Sequence, residues 1–148
     1  EYMRSLSSNI KVCGEATLAH GSPRDPLWEY ILNALSAQLN FGFFETPLCF
    51  VGHSHIQCFF ALNEETNRVT LGQSKPDETI ALRSKLILNP GSVGQPRDRD
   101  PRAAYAIYET EARTWIPRRV AYNVAEVQER IRAADLPEKH AARLADGW

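Results

Sequence analysis

The sequence predicts an α/β fold in which polar loops gather at one edge of a sheet. Three short apolar runs of strand length each stop at a Gly- or Pro-rich loop that carries histidine or asparagine. These are residues 16–19 before His20, residues 48–51 before His53 and His55, and residues 85–88 before Asn89. Segments with helical spacing lie between and after them. Because sites in layered α/β folds form where strand ends converge, we expect one site at these loops.

Length and composition indicate a single domain, or part of one, over residues 1–148. The chain is long enough to bury a core, and its 43% hydrophobic and 24% charged residues are typical of globular proteins. The net charge of −1 argues against a broad nucleic-acid surface or an anionic membrane partner. No apolar run approaches the ~20 residues of a membrane span. Phosphate binding therefore has to come from a local site.

Cysteine usage points to a reducing compartment. Cys13, Cys49 and Cys58 are an odd number at irregular spacing, and each lies in an apolar segment. We interpret all three as small core residues and not as disulfide partners, which favours a cytoplasmic location.

The first third of the chain predicts a hairpin and then a helix. Residues 1–6 resemble the end of a helix, and residues 10–13 and 16–19 form two short strands around a glycine. An Asp-Pro pair then precedes apolar residues that repeat with helical spacing. We expect this helix to span residues 27–39 and to lead into the strand at residues 48–51.

The rest of the chain predicts paired strands and a helical tail. Apolar and alternating runs separated by turn residues indicate the strands. Apolar residues three and four apart, opposite charged ones, indicate a helix at the end, followed by a last short helix near residue 144. The expected strands are residues 56–62, 68–71, 79–82, 85–88, 103–108 and 115–122, and the longer helix is residues 124–131.

The motif Gly52-His53-Ser54-His55 is the first candidate metal site. If the backbone stays extended after the strand, side chains two residues apart point to the same side, and both imidazoles face one point. Neutral imidazole is the commonest protein ligand of metals. An exposed loop with two unrelated histidines explains so short a pattern equally well. His20, also directly after a strand, is a third candidate ligand, whereas we interpret His140 as a surface residue.

Arg24, Asn89, Ser92 and Arg97 are candidate substrate-binding residues. The two arginines lie close in sequence to the strand-end loops, and guanidinium presents a planar fork that matches phosphate oxygens. The backbone of residues 91–94 offers amide groups to an anion. Each arginine also has a neighbouring aspartate as an ion-pair partner, and Asn89 suits a turn-capping role. These alternatives stay open.

Taken together, the motifs resemble the calcineurin-like metallophosphoesterases, and in particular a bacterial branch of small phosphoesterases. The matching segments are His20-Gly21-Ser22-Pro23, Gly52-His53-Ser54-His55 and Asn89-Pro90-Gly91-Ser92-Val93-Gly94. The resemblance implies a four-layer αββα sandwich with two divalent metal ions, Mn, Fe or Zn, at the strand ends. His20 and His53 would ligate one ion and His55 the other. The implied reaction is in-line hydrolysis of a phosphorylated small molecule, nucleotide or phosphoprotein by a bridging hydroxide.

The sequence departs from that family in its first three motifs, Asp-x-His, Gly-Asp and Gly-Asn-His, which do not occur among its 148 residues. The bridging carboxylate, the asparagine ligand and the histidine that assists the leaving group are therefore missing, and the catalytic residues stay unassigned. We expect the C-terminal half of a longer phosphoesterase, inactive until an N-terminal half completes the site. The alternative is a non-catalytic, protein-binding remnant with an exposed apolar edge. A histidine-triad nucleotide hydrolase is set aside because Gln57 stands where that motif has its third histidine.

Overall fold

The computed structural model describes residues 2–5, 11–73 and 75–148, and within them the strands form two sheets. The helices are α1 (Tyr2–Ser5), α2 (Ala34–Gln38), α3 (Val124–Ala133) and α4 (Glu138–Ala142). The strands are β1 (Lys11–Cys13), β2 (Ala16–Leu18), β3 (Leu48–Phe50), β4 (Gln57–Asn63), β5 (Arg68–Gly72), β6 (Ile80–Ala81), β7 (Lys85–Pro90), β8 (Ala103–Glu109) and β9 (Thr114–Val120). Glu1, Leu6 and Ile10 of the first predicted elements lie outside the described residues.

The larger sheet has the strand order β1-β2-β3-β7-β4-β5. Its three central strands β2, β3 and β7 are parallel neighbours, with Leu18 opposite Phe50 and Phe50 opposite Leu88. Leu48 and Leu88 are fully buried, as expected for parallel strands that are covered on both faces. Because the strands run the same way, their C-terminal ends and the loops that follow meet at one edge. The predicted convergence of the three strand ends is confirmed.

The smaller sheet, β6-β9-β8, packs on one face of the larger sheet. The Phe50 ring stacks on the Trp115 ring with centroids 5.3 Å apart, and Leu86 and Leu88 complete this core together with Leu82. The two sheets therefore share one apolar layer.

The opposite face of the larger sheet is covered by α2 and a 3₁₀ turn at Phe41–Phe43. Lys85 fixes this turn, since its Nζ donates to the carbonyls of Phe41 (3.0 Å) and Phe44 (2.6 Å). At the C-terminus α3 and α4 pack on each other, and Gln128 Nε2 donates to Ala141 O at 2.9 Å. The predicted α/β class, with helices on stacked sheets, is confirmed.

The predicted helix over residues 27–39 is wrong. Asp25 Oδ1 accepts hydrogen bonds from two backbone N–H groups that follow it, but they close only one turn. The helix begins again at Asn33, whose side chain forms a capping box with Ser36. Between Asp25 and Asn33, the Glu29 carboxylate accepts hydrogen bonds from Ser22, Arg24 and Asn40. These bonds prevent a regular helix. This local departure places Tyr30 beside His53.

The cysteine prediction is confirmed for Cys49 and Cys58 and wrong for Cys13. Burial raises the pKa of the Cys49 and Cys58 thiols to about 12. Cys13 is exposed because every residue of the edge strand β1 faces solvent. Across the described residues, no helix has both the length and the apolar character needed to cross a membrane.

Candidate metal centre

His20 and His53 lie together at the edge where the parallel strands end. The ladder of main-chain hydrogen bonds continues beyond the strands, with Gly52 N donating to His20 O and Val51 N donating to Leu88 O, both at 2.9 Å. This continuation aligns the loops after β2 and β3. As a result the Nε2 atom of His20 is 3.0 Å from the Nδ1 atom of His53.

The spacing of these two nitrogens fits two ligands of one metal ion. For metal–nitrogen bonds of about 2.0–2.1 Å, two ligands lie about 2.9 Å apart in octahedral and about 3.4 Å apart in tetrahedral geometry. The 3.0 Å separation lies within that range, and it is equally the length of a hydrogen bond between the two rings. Burial lowers the pKa of His53, and the charge of His20 lowers it further. Both effects favour the neutral ring that binds metals.

The backbone at the two histidines of the His-x-His motif is not extended. His53 and His55 have φ angles of 56° and 61°, in the left-handed region that residues with a Cβ rarely adopt. The extended backbone, which was the condition for both imidazoles to face one point, is therefore not present. His53 contacts His20 and Tyr30, whereas His55 contacts Gln95. Such strain persists only where the surroundings hold it, and it is concentrated at functional sites.

Asn89 holds this coiled segment in place. Its buried Nδ2 donates to Gly52 O at 2.8 Å and to Ser54 Oγ at 2.9 Å, and its Oδ1 accepts from Gly91 N at 2.9 Å. Both polar atoms of the Asn89 side chain are thus hydrogen-bonded within the protein, as the turn-capping alternative predicts. The fully bonded amide connects the end of β7 to the loop after β3.

His55 is oriented by a main-chain carbonyl. Its Nδ1 lies 2.7 Å from Gln95 O, and because a carbonyl only accepts, Nδ1 carries the proton. The unprotonated Nε2 is then left as a ligand atom. Burial lowers the pKa of His55; the Gln95 hydrogen bond opposes this, and the charge of Arg97 adds to the lowering.

Arg97 is a cation whose charge acts on both His53 and His55. Its backbone N donates to His55 O at 3.2 Å, and its Nη2 donates to Gln95 Oε1 at 3.0 Å. Within the described part of the chain its Nε is buried without a hydrogen-bond partner, and its guanidinium pairs with no carboxylate. The alternative of an ion pair with Asp98 is wrong, because Asp98 pairs with Arg119.

Arg24 is bound inside the loop that follows His20. It forms an ion pair with Glu29 and not with the neighbouring Asp25. Ser22 Oγ and Asn40 Nδ2 donate to the same carboxylate, at 2.5 and 3.0 Å. Burial raises the pKa of Glu29, but the hydrogen bonds from Arg24, Ser22 and Asn40 outweigh it and lower the pKa overall. This network cross-links the loop between His20 and α2 through the Glu29 carboxylate.

Ser92 shapes the loop after β7. Its Oγ accepts from Gln95 N at 2.9 Å, and its carbonyl accepts from Ala104 N at 2.9 Å. The first bond positions Gln95, whose carbonyl in turn orients His55. A substrate contact by Ser92 remains a prediction.

Sequence reasoning missed three contributors to the site. Tyr30 stacks on His53 with ring centroids 4.0 Å apart, but its spacing had assigned it to a helix. Gln95 acts through a main-chain carbonyl, which no side-chain motif reveals. Arg119 lies 21 residues beyond Asp98, the loop residue that it holds. The polar loop sequence around Gln95 was the one available signal.

The donor set in this part of the chain is incomplete. Among the described residues no cluster of three or more His, Cys, Asp or Glu has the arrangement of a metal site. The His20–His53 pair nevertheless fits one ion by its spacing, and His55 presents an oriented nitrogen. The residues present therefore fit the imidazole share of a metal centre, without its carboxylates.

No protein-family model matches the chain. The chain superposes on the crystal structure of a metallophosphoesterase from Sphaerobacter thermophilus with a TM-score of 0.93 and 46% identity, over 99% of this chain and 60% of that one. The hypothetical protein PH1004 from Pyrococcus horikoshii shares the fold at a TM-score of 0.73 and 20% identity, with 99% and 53% covered. Uncharacterized protein MJ0912 from Methanocaldococcus jannaschii is 35% identical over 144 residues, 94% of this chain and 54% of that protein. The chain thus spans between half and two thirds of these relatives.

Proposed function

We propose that this chain carries part of the metal centre of a phosphoester hydrolase, because it shares its fold and 46% of its aligned residues with a metallophosphoesterase. The observation that carries the proposal is the pair of ring nitrogens of His20 and His53, 3.0 Å apart at the ends of parallel strands. In this proposal His20 and His53 hold one divalent ion, and His55 holds a second one. Mn, Fe and Zn all suit imidazole ligands.

The bound ions would supply charge that polarises the phosphoryl group and lowers the pKa of a coordinated water. The chain's own residues contribute orientation. Asn89 and Ser54 fix the strained loop that carries His53 and His55, and Gln95 keeps the Nε2 of His55 free. We propose that Arg97, whose buried Nε has no hydrogen-bond partner in the described structure, binds a phosphate oxygen.

We propose that carboxylate and amide ligands from outside this sequence complete the two-metal site. Support comes from the described residues, among which no group of three or more His, Cys, Asp or Glu could hold a metal ion. The chain by itself is then expected to hold metal weakly and to be inactive. The substrate of the completed site is a phosphomonoester or phosphodiester, drawn from phosphorylated small molecules, nucleotides or phosphoproteins.

Metal binding by the 148-residue chain tests the first step. Zn²⁺ or Mn²⁺ is titrated calorimetrically into the chain, and bound metal is counted by mass spectrometry. We expect about one weakly held ion, and His53→Ala should weaken binding by more than about 100-fold, since losing even an outer-shell partner costs 10–100-fold. His140→Ala, in α4, is the matched control and should bind as the parent does. Equal binding by the His53→Ala variant would contradict the assignment.

Turnover tests the second step. In a form of the protein that supplies the remaining ligands, we expect Mn²⁺-dependent hydrolysis of a nitrophenyl phosphodiester. His53→Ala should then lower kcat by orders of magnitude. Unchanged turnover in that variant would exclude a catalytic metal at His53.

The exposed apolar side chains of residues 27–43 favour a second candidate, a non-catalytic chain that binds another protein. Trp28, Leu35 and Phe43 are 74%, 69% and 51% exposed, and apolar side chains this exposed are typical of a contact surface. This reading predicts concentration-dependent association by light scattering. A stable monomer at all concentrations would count against it.

A further inference from the structure

Arg119 of β9 lies at the centre of a buried polar network next to the candidate metal centre. Only 6% of its side chain is exposed. Its Nη1 donates to Asp98 Oδ1 at 3.1 Å, its Nη2 also pairs with Asp98, and its Nε donates to Gln57 Oε1 at 3.1 Å. Weaker bonds, both 3.4 Å, reach the carbonyls of Asp100 and Arg102. One guanidinium therefore holds the far end of the loop after β7 at several points.

Gln57 completes the network from β4. Its backbone N donates to Asp98 Oδ2 at 3.1 Å, and its Nε2 donates to the carbonyls of Pro90 and Tyr105, both at 3.0 Å. The loop after β7 is thus fixed at its start by Gln57 and at its end by Arg119. Both ends are tied to the sheets that carry the site.

The same network aligns two chain segments at the metal centre. Asp98 binds the backbone of Gln57, and one step closer to the site Arg97 N donates to His55 O at 3.2 Å. Next along the loop, Gln95 O accepts from the Nδ1 of His55 at 2.7 Å. Asp98 is therefore linked along the loop, through Arg97, to the Gln95 carbonyl that contacts His55.

We propose that Arg119 is a positioning residue for the metal centre, which holds Asp98 so that Gln95 orients the His55 ring and Arg97 faces the phosphate position. The effect of Arg119 on catalysis rests on the proposed function, whereas its effect on the orientation of the His55 ring does not. Arg119 touches neither His20 nor His53 in this network, so its influence is confined to the His55 side of the site.

The arginine fork is the chemical requirement. Guanidinium donates to both oxygens of Asp98 and to Gln57 at once, whereas the point charge of lysine keeps the ion pair but not this bonding pattern. Arg119→Lys therefore tests orientation with charge retained. Asp98→Asn tests the same connection from the other side, with little change of shape. Arg118→Lys is the control, because Arg118 is the adjacent residue and pairs with Asp77 at the surface.

The experiment is ¹⁵N NMR of the histidine rings in the metal-free 148-residue chain at neutral pH. In the parent protein and in Arg118→Lys we expect the Nδ1–H tautomer at His55. In Arg119→Lys and Asp98→Asn we expect loss of that signature at His55 alone, with the His20 and His53 signals unchanged. A tautomer retained in both variants overturns the proposal. An equal change at His20, His53 and His55, or a failure of both variants to fold, also overturns it, because either result indicates a structural role.

A second measurement separates this proposal from the proposed function. Zn²⁺ is titrated into the parent chain and into Arg119→Lys. If the parent chain binds no metal while the His55 tautomer responds as expected, the positioning role stands and the His20–His53 ion of the proposed function fails. If the parent binds metal and the tautomer does not respond, the proposed function stands and the positioning role fails.

Discussion

Replacing Asn89 by alanine removes the side chain that connects β7 to the loop carrying two candidate ligands. Three hydrogen bonds are lost, to Gly52 O, Ser54 Oγ and Gly91 N. The site is buried, with Asn89 itself 2% exposed, so water replaces these partners poorly. At about 1 kcal/mol for each hydrogen bond, the free energy of unfolding should fall by roughly 3 kcal/mol. For a chain of this size that corresponds to a decrease in Tm of roughly 6–12 °C.

Urea unfolding followed by circular dichroism measures this change. The matched control is Asn63→Ala, which removes one exposed bond, from Thr66 N to Asn63 Oδ1 at 2.9 Å. Its cost should stay below about 1 kcal/mol, as is usual for an exposed turn. A loss below about 1 kcal/mol for Asn89→Ala would refute the reasoning, because the loop would then not depend on the amide.

Two further predictions follow from titration and burial. Hydrogen bonds lower the pKa of Glu29 in the folded protein below the ordinary value of 4.5. The stabilisation that ionised Glu29 provides is therefore full above pH 4.5, and it is lost as the pH falls through the lower pKa of the folded state. Glu29→Gln should therefore be less stable at neutral pH and show a smaller loss on acidification, measured by urea unfolding between pH 3 and 7; parallel pH profiles would contradict this. Cys13 should react at once with a thiol reagent in the native protein, whereas Cys49 and Cys58, buried and with thiol pKa values of about 12, should react only after unfolding; rapid native labelling at all three sites would show that the core opens.

Strand pairing was the part of the fold most open to prediction. The hairpins of β4 with β5 and of β8 with β9 follow from alternating residues around turn sequences, and both occur. The parallel strands appear as continuous apolar runs because they are buried on both faces. Their shared edge could be expected from the polar loops that follow each run, but their order in the sheet could not.

The helix predicted over residues 27–39 shows the limit of periodicity. Its apolar spacing is helical, yet Ser22, Arg24 and Asn40 donate hydrogen bonds to the Glu29 carboxylate. A regular helix would break these contacts. Tyr30 is then free to stack on His53. Hydrogen bonds of a partly buried carboxylate outweighed a weak helix propensity, which tertiary context commonly overrides.

The sequence by itself determined the chemistry of this protein: which strands end in histidines, and that imidazole, guanidinium and amide groups meet at one edge of an α/β sheet. That much follows from local patterns, since apolar runs and turn residues act over a few positions. Only the tertiary structure decided the pairings within the site. His20 meets His53 because parallel strands align their loops, and His55 turns to Gln95 because its backbone is left-handed. Arg119 of β9 reaches Asp98 in the loop after β7, a contact between residues 21 positions apart that no local pattern encodes.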